Sequence, residues 1–234
     1  MERQAGERYF DGAYLAHNPT WHAEHSETKA GWIDRILRRN GLEPRTIAEV
    51  GCGSGEILVE LQKRRPNAQF TGFEISPQAF AICAPKQAPG LSFRLEDLLQ
   101  AETEQFDLLL AIDVFEHVPD YMGFLRRLQD RAVHKVFHIP LDLSVQALVR
   151  GTSFPILRER TGHLHYFFKY TALVTLRDCG YEVVDWNYTR SSQELPGKGW
   201  KTKIANLPRK LMQLISEDLS ARFLGGYSLL VLAR

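Results

Sequence analysis

Long apolar runs are missing from this chain of 234 residues: no stretch approaches the roughly 20 residues that a membrane-crossing helix requires. The opening Met-Glu-Arg-Gln-Ala-Gly-Glu-Arg also lacks the apolar core of a secretory leader, so the expectation is no membrane span and a cytoplasmic setting. Cysteine is scarce. Cys52, Cys83 and Cys179 are odd in number, widely spaced and set in apolar surroundings, which reads as reduced thiols and not as a disulfide framework or a zinc cluster. Charge of one sign is lacking too, with 29 Lys+Arg against 28 Asp+Glu and a formal net charge of +1. Nothing global therefore draws the chain to nucleic acid or to an anionic surface, and RNA as a substrate is mildly disfavoured. A hydrophobic fraction of 44% is ordinary for a globular protein, and this length suits one sizeable core.

A missing glycine directs the reading of what is present. Ile47, Ala48 and Val50 form a short apolar run of the buried-strand kind, which breaks into Gly51, Gly53 and Gly55 and then into the helical spacing of Ile57, Leu58 and Leu61. Strand, glycine turn and helix make a nucleotide-cofactor site, because small residues let the backbone approach the ligand and the first helical turn points N–H groups at it. A pyrophosphate loop needs Gly-x-Gly-x-x-Gly, and its third glycine is replaced here by Glu56. Glu49 before the turn and Glu56 after it would repel a pyrophosphate and attract a ligand that carries positive charge.

An acidic residue, any residue and then Gly-x-Gly-x-Gly, as Glu49 to Gly55 stand, resembles the first motif of the class I S-adenosylmethionine-dependent methyltransferases, and the small-molecule branch in particular. The resemblance implies an α/β fold: a Rossmann-like, doubly wound, mostly parallel seven-stranded sheet with helices on both faces and an antiparallel last strand. It implies S-adenosyl-L-methionine as cofactor, held along Glu49, Gly51, Cys52, Gly53 and Gly55. Glu74 ends a second strand about 20 residues beyond the turn, where a carboxylate accepts from both ribose hydroxyls, and Glu74-Ile75-Ser76-Pro77 matches the second motif. By position Asp97 would take the adenine amino group and Leu98 would offer a backbone N–H to the ring. The run Phe106 to Val114, apolar with polar ends, reads as a central strand covered on both faces, and Asp113 and Val114 lie at its carboxyl end, where open α/β sheets bind ligands. Trp21 and His22, in an aromatic prelude with Tyr9 and Tyr14, are expected at the cofactor or substrate mouth, the alternative being that these aromatics pack the outer face of the sheet.

A single domain is expected over 1–234, with a helical cap at 1–45, a cofactor core at 46–140, a lid inserted at 141–168, and C-terminal helix and strands at 169–234 that include an inserted loop and a helix from Pro208 to Leu219. The basic loop with Lys198, Lys201, Lys203, Arg209 and Lys210 reads as solvated surface, or as a contact for an anionic substrate or partner. If the acceptor is a hydroxyl, a base must take its proton as the oxygen attacks, and histidine titrates in the useful range. The candidates are His163 and His165, which share a side in extended backbone, then His138 and His117. No spacing identifies a metal site, although His163, His165 and Asp142 or His138 could gather around a divalent ion. The reading is methyl transfer to a small-molecule hydroxyl of a sugar, lipid or secondary metabolite. The alternatives are a catalytically silent cofactor-binding module acting as partner or regulator, and a nucleotide-dependent oxidoreductase. Substrate and oligomeric state do not follow from the residues.

Overall fold

The computed structural model describes residues 9–101, 105–196 and 206–234. Its centre is a seven-stranded sheet in the order β3-β2-β1-β4-β5-β7-β6. The strands are β1 Thr46–Val50, β2 Gln69–Glu74, β3 Leu91–Leu95, β4 Phe106–Ile112, β5 Ala132–Pro140, β6 Val183–Thr189 and β7 Ser228–Ala233. The first five pair in parallel, while β7 runs antiparallel to both β5 and β6. This is the architecture expected from the sequence.

Period-two alternation sorts the apolar residues to the two faces. From β4, Leu108, Leu110 and Ile112 pack with Ile47 of β1 on one side, against Ile33, Ile36 and Leu37 of the helix Ser26–Arg39 and Leu58 and Leu61 of the helix Glu56–Arg64. Leu109 and Ala111 go to the other face, with Phe124 and Leu128 of the helix Tyr121–Leu128 and Leu176 of the helix Lys169–Asp178. A run buried on both faces needs no polar alternation, which is why Phe106 to Ile112 reads as continuous. Glu49 lies two residues beyond Ile47, opposite Gly72 and Leu110, and so enters the face carrying the helix Ser26–Arg39. A charged residue is thereby placed at the sheet's carboxyl edge.

One segment differs from expectation. Pro208 to Leu219 is not one helix: Leu207–Ile215 stops at Ser216, whose extended backbone and side chain cap a second helix, Glu217–Leu224. Serine competes for local backbone groups, and its Oγ accepts from Leu219 N–H at 3.2 Å. Residues 141–168 hold the helices Val145–Arg150 and Ser153–Arg160. Lys198, Lys201 and Lys203 lie outside the described residues. No helix of the described residues is long and apolar enough to cross a membrane.

Candidate active site

At the carboxyl ends of β1, β2 and β4 lies a cavity of about 310 Å³, walled by the glycine turn, Glu49, Glu74, Ile75, Asp113 and Val114 and roofed by Tyr9, Tyr14, Trp21, His22 and Lys29. The turn is held by Glu74, whose carboxylate accepts from Gly53 N–H at 2.7 Å, Ser76 N–H at 2.8 Å and Ile75 N–H at 2.9 Å. Burial raises the Glu74 carboxyl, and these three donors oppose the rise. Gly55 has φ +74°, and an added Cβ would lie 2.5 Å from the Phe93 ring, so no other residue fits there. Pro77 stands in the first turn of the next helix behind the cap Ser76, and Ser76 Oγ donates to Tyr9 C=O at 2.6 Å, tying the prelude to β2.

Trp21 and His22 both adopt left-handed backbone, φ 48° and 58°. Such strain, of order 1–3 kcal/mol per residue, persists where the surroundings over-determine it. Here Tyr14 meets Trp21 at 4.7 Å between ring centroids and Tyr9 at 5.1 Å. These aromatics roof the cavity; they do not pack the outer face of the sheet.

Glu49 is 1% exposed, and its Oε2 has no hydrogen-bond partner among the described residues. Burial pushes its carboxyl well above the ordinary range, with Lys29 opposing and Glu74 adding to the rise. An orphaned acid in a cavity floor is a costly arrangement unless a cation completes it. The residues therefore fit a cofactor that carries positive charge at this end and hydroxyls within reach of Glu74.

Asp113 also has left-handed backbone, φ 55°, which directs its carboxylate between Lys29 Nζ at 2.6 Å and His138 Nδ1 at 2.6 Å. Burial alone would raise this acid, but His138 and Lys29 outweigh it and hold it well below the usual range. His138 is itself 2% exposed, bonded through Nε2 to Thr189 Oγ1 at 2.8 Å and stacked on Trp32. It orients Asp113 and does not reach the cavity wall.

The expected pairing of His163 with His165 is corrected. Leu164 N–H and His165 N–H both donate to Glu116 C=O, at 2.8 and 3.2 Å, so the backbone wraps one carbonyl instead of pleating. His163 turns toward His117, 4.9 Å between ring centroids, with its Nδ1 2.6 Å from Asp142 Oδ2. His165 bonds Val118 C=O at 3.0 Å, packs on Tyr121 and opens to a separate crevice. The insertion 141–168, expected as a lid, contributes no residue to the cavity wall. His22 and His117 do stand on that wall, and burial with Lys29 lowers the His22 imidazole. Asp97 and Leu98 do not: Asp97 accepts from Leu99 N–H at 2.9 Å, and Leu98 is fully buried in the core.

Sequence reading missed Lys29, Ser26 and Glu116, and named Tyr9 and Tyr14 only as part of the aromatic prelude. Lys29 had a signal, a cation one residue before the apolar stripe Ala30, Ile33, Ile36 and Leu37. So did Glu116, an acid inside Val114-Phe115-Glu116-His117-Val118, where both of its carboxylate oxygens are buried without a hydrogen-bond partner among the described residues. Burial raises Glu116 strongly, and Asp113 adds to it.

The mixed sheet and the acid-floored glycine turn define a nucleotide-cofactor enzyme fold. A family model described as "Methyltransferase domain" matches residues 21–185. The chain belongs to that family, within the class I S-adenosylmethionine-dependent methyltransferases, and S-adenosylmethionine is its cofactor. It is 29% identical over 125 residues to a ubiquinone biosynthesis O-methyltransferase of Acinetobacter baumannii (strain ACICU), covering 47% of this chain and 51% of that protein. It is 33% identical over 82 residues to a trans-aconitate 2-methyltransferase of Deinococcus radiodurans, 35% of this chain and 31% of the other. The chain spans about half the length or less of these curated relatives. The solved N-methyltransferase NodS from Bradyrhizobium japonicum WM9, in complex with S-adenosyl-L-homocysteine, shares the fold: TM-score 0.60, 16% identity, 96% of this chain and 98% of that one.

Proposed function

We propose that the protein transfers a methyl group from S-adenosylmethionine to a hydroxyl of a small-molecule acceptor. The observation that carries this is the orphaned Glu49 carboxylate in the cavity floor, beside a glycine turn locked by Glu74. The cofactor supplies an activated methyl carbon with its own leaving group. What remains for the chain is to position two reactants and exclude water.

In this reading Glu49 balances the cofactor's positive charge, Glu74 turns its one remaining acceptor site, on Oε2, to a ribose hydroxyl, and Trp21 with Tyr14 closes the roof. Asp113, set by Lys29 and His138, fixes the far wall. The acceptor hydroxyl enters beside His22 and His117. His22, held neutral by burial and by Lys29, accepts the proton as the oxygen attacks. A hydroxyl acceptor is supported by the name of the Acinetobacter relative, an O-methyltransferase. The cytoplasm is the proposed setting, in keeping with three free, buried cysteines.

Incubating the purified protein with labelled cofactor and a panel of phenols, hydroxy acids and amines tests the proposal. Labelled methyl ether products are expected, with turnover reduced about 100-fold in His22→Asn, a replacement that tolerates left-handed backbone. Products on nitrogen alone overturn the hydroxyl assignment. Tight cofactor binding with no product from any class favours a silent binding module.

A further inference from the structure

We propose that Glu116, His117 and His163 form a binding site for a divalent transition-metal ion beside the methyl-transfer cavity. One ligand atom from each of these residues can be chosen so that all three lie within 4.8 Å of one another. An ion with bonds of about 2.0–2.2 Å draws opposite ligands to roughly 4.2 Å, so small side-chain rotations complete the contact.

Three features point to a ligand and not to a chance cluster. Glu116 is 0% exposed, and both of its carboxylate oxygens lack a hydrogen-bond partner among the described residues. A buried carboxyl of this kind needs a proton, a partner or a metal, and its ion-pair contact, His117 Nε2 at 3.8 Å from Oε1, is too long for a hydrogen bond. Second, Asp142 holds His163 through Nδ1 at 2.6 Å. That contact fixes the proton on Nδ1 and leaves Nε2 with its lone pair, which is the carboxylate–histidine arrangement behind metal-bound imidazoles. Third, the backbone brings the ligands together from distant sequence, since Glu116 C=O receives both Leu164 N–H and His165 N–H. Two imidazoles and one carboxylate suit Zn, Fe(II), Mn or Co, and leave coordination positions open. Because His117 also lines the cavity, the ion sits one side chain from the acceptor's entry, where it can bind an acceptor oxygen. The binding claim holds whichever atom is methylated.

The test uses the full chain stripped with chelator and then titrated with cobalt(II) chloride, read by visible absorption and elemental analysis. One cobalt per chain is expected, with the absorption bands of nitrogen- and oxygen-bound Co(II). Glu116→Gln and His163→Ala should each weaken uptake more than about tenfold, and Asp142→Asn, which leaves the ligands in place, by about 10- to 100-fold. His165→Ala should leave uptake unchanged. Absence of stoichiometric uptake by the wild-type chain overturns the proposal. So does uptake that survives Glu116→Gln and Asp142→Asn but is lost in His25→Ala, which would place the ion at the other cluster, His22, Glu24 and His25. Since the readout needs neither cofactor nor acceptor, its failure leaves the methyl-transfer reading standing.

Discussion

The two sides of the cavity are built by different means. On the cofactor side, side chains are held by backbone within a few residues or one strand away: Glu74 by the amides of Gly53, Ile75 and Ser76, and Glu49 by its place in β1 between Gly72 and Leu110. On the acceptor side, position comes from side chains brought together over long sequence distances. Lys29 meets Asp113, Asp113 meets His138, His138 meets Thr189, and Asp142 meets His163. Backbone-fixed geometry repeats wherever the local pattern repeats. Side-chain-fixed geometry depends on the whole fold, and this is where an enzyme of this architecture can change its substrate without disturbing its cofactor.

The largest expected effect breaks the cofactor side outright. Gly55→Val places a branched side chain in left-handed backbone and against the Phe93 ring. Strain and overpacking together should cost about 2–5 kcal/mol. Urea unfolding should show the midpoint falling by that amount, with cofactor binding lost. A stable, binding-competent Gly55→Val protein would mean that the turn is not what holds this side.

Glu49→Gln comes next. Removing a buried carboxylate from a cationic ligand should cost about 2–5 kcal/mol of cofactor affinity, some 30-fold or more by calorimetry. Its pH dependence sharpens the point. Glu49 has a folded pKa raised above its unfolded value by burial, so its contribution to stability is fully present below the unfolded pKa and is lost as pH rises through the folded one. A cation favours the ionised form. Cofactor affinity should therefore rise with pH, by at most about tenfold per unit, until Glu49 is ionised in the free protein. In Glu49→Gln this part of the slope should vanish, while the remaining slope from other groups stays.

Glu74→Ala ranks third. Three backbone N–H groups lose a charged acceptor, and water can replace only part of it, so the chain should lose about 2–3 kcal/mol of stability together with cofactor affinity. A wild-type preference for the cofactor over an analogue lacking the ribose hydroxyls, lost in the variant, would show that the ribose contact had been removed. An unchanged preference would place the ribose elsewhere.

The same division explains what could be read from the residues alone. Glu49, Glu74 and the glycines were legible because a strand end, a sharp turn and a helix start leave periodicity and composition signals within about 30 residues. The fold followed from the same signals, since the run Phe106 to Val114 fits a strand covered on both faces, and the strand ends at Ile112. His138 was misplaced because nothing local says that both of its nitrogens are occupied, by Asp113 and by Thr189 fifty-one residues away. His163 and His165 were paired on the assumption of a regular pleat, which the shared bond to Glu116 C=O breaks. The helix after Pro208 was drawn too long because Ser216 acts as a cap, a role that Glu217 and Asp218 behind it, as an acidic first turn, could have signalled. Lys29 and Glu116 were passed over as ordinary charges. What set Glu116 apart was an apolar neighbourhood on both sides, and what set Lys29 apart was its place at the head of an apolar stripe; such a mismatch is a better guide to a site than the mere presence of a histidine.

His165→Ala measures how separate the two sides are. The substitution removes the bond to Val118 C=O and the ring contact with Tyr121, 4.4 Å between centroids, and each contributes roughly 0.5–1.5 kcal/mol. The chain should lose about 1–2 kcal/mol in urea unfolding. Because His165 faces a crevice apart from the cavity, cofactor affinity should stay within twofold of wild type. The one route by which the loss could travel is short: Val118 also lines the cavity, and Glu116 C=O receives the His165 N–H. A backbone amide survives the change to alanine, so that second tie remains. If cofactor affinity nevertheless falls tenfold, Val118 is carrying the loss across, and the insertion at 141–168 governs the cofactor side after all.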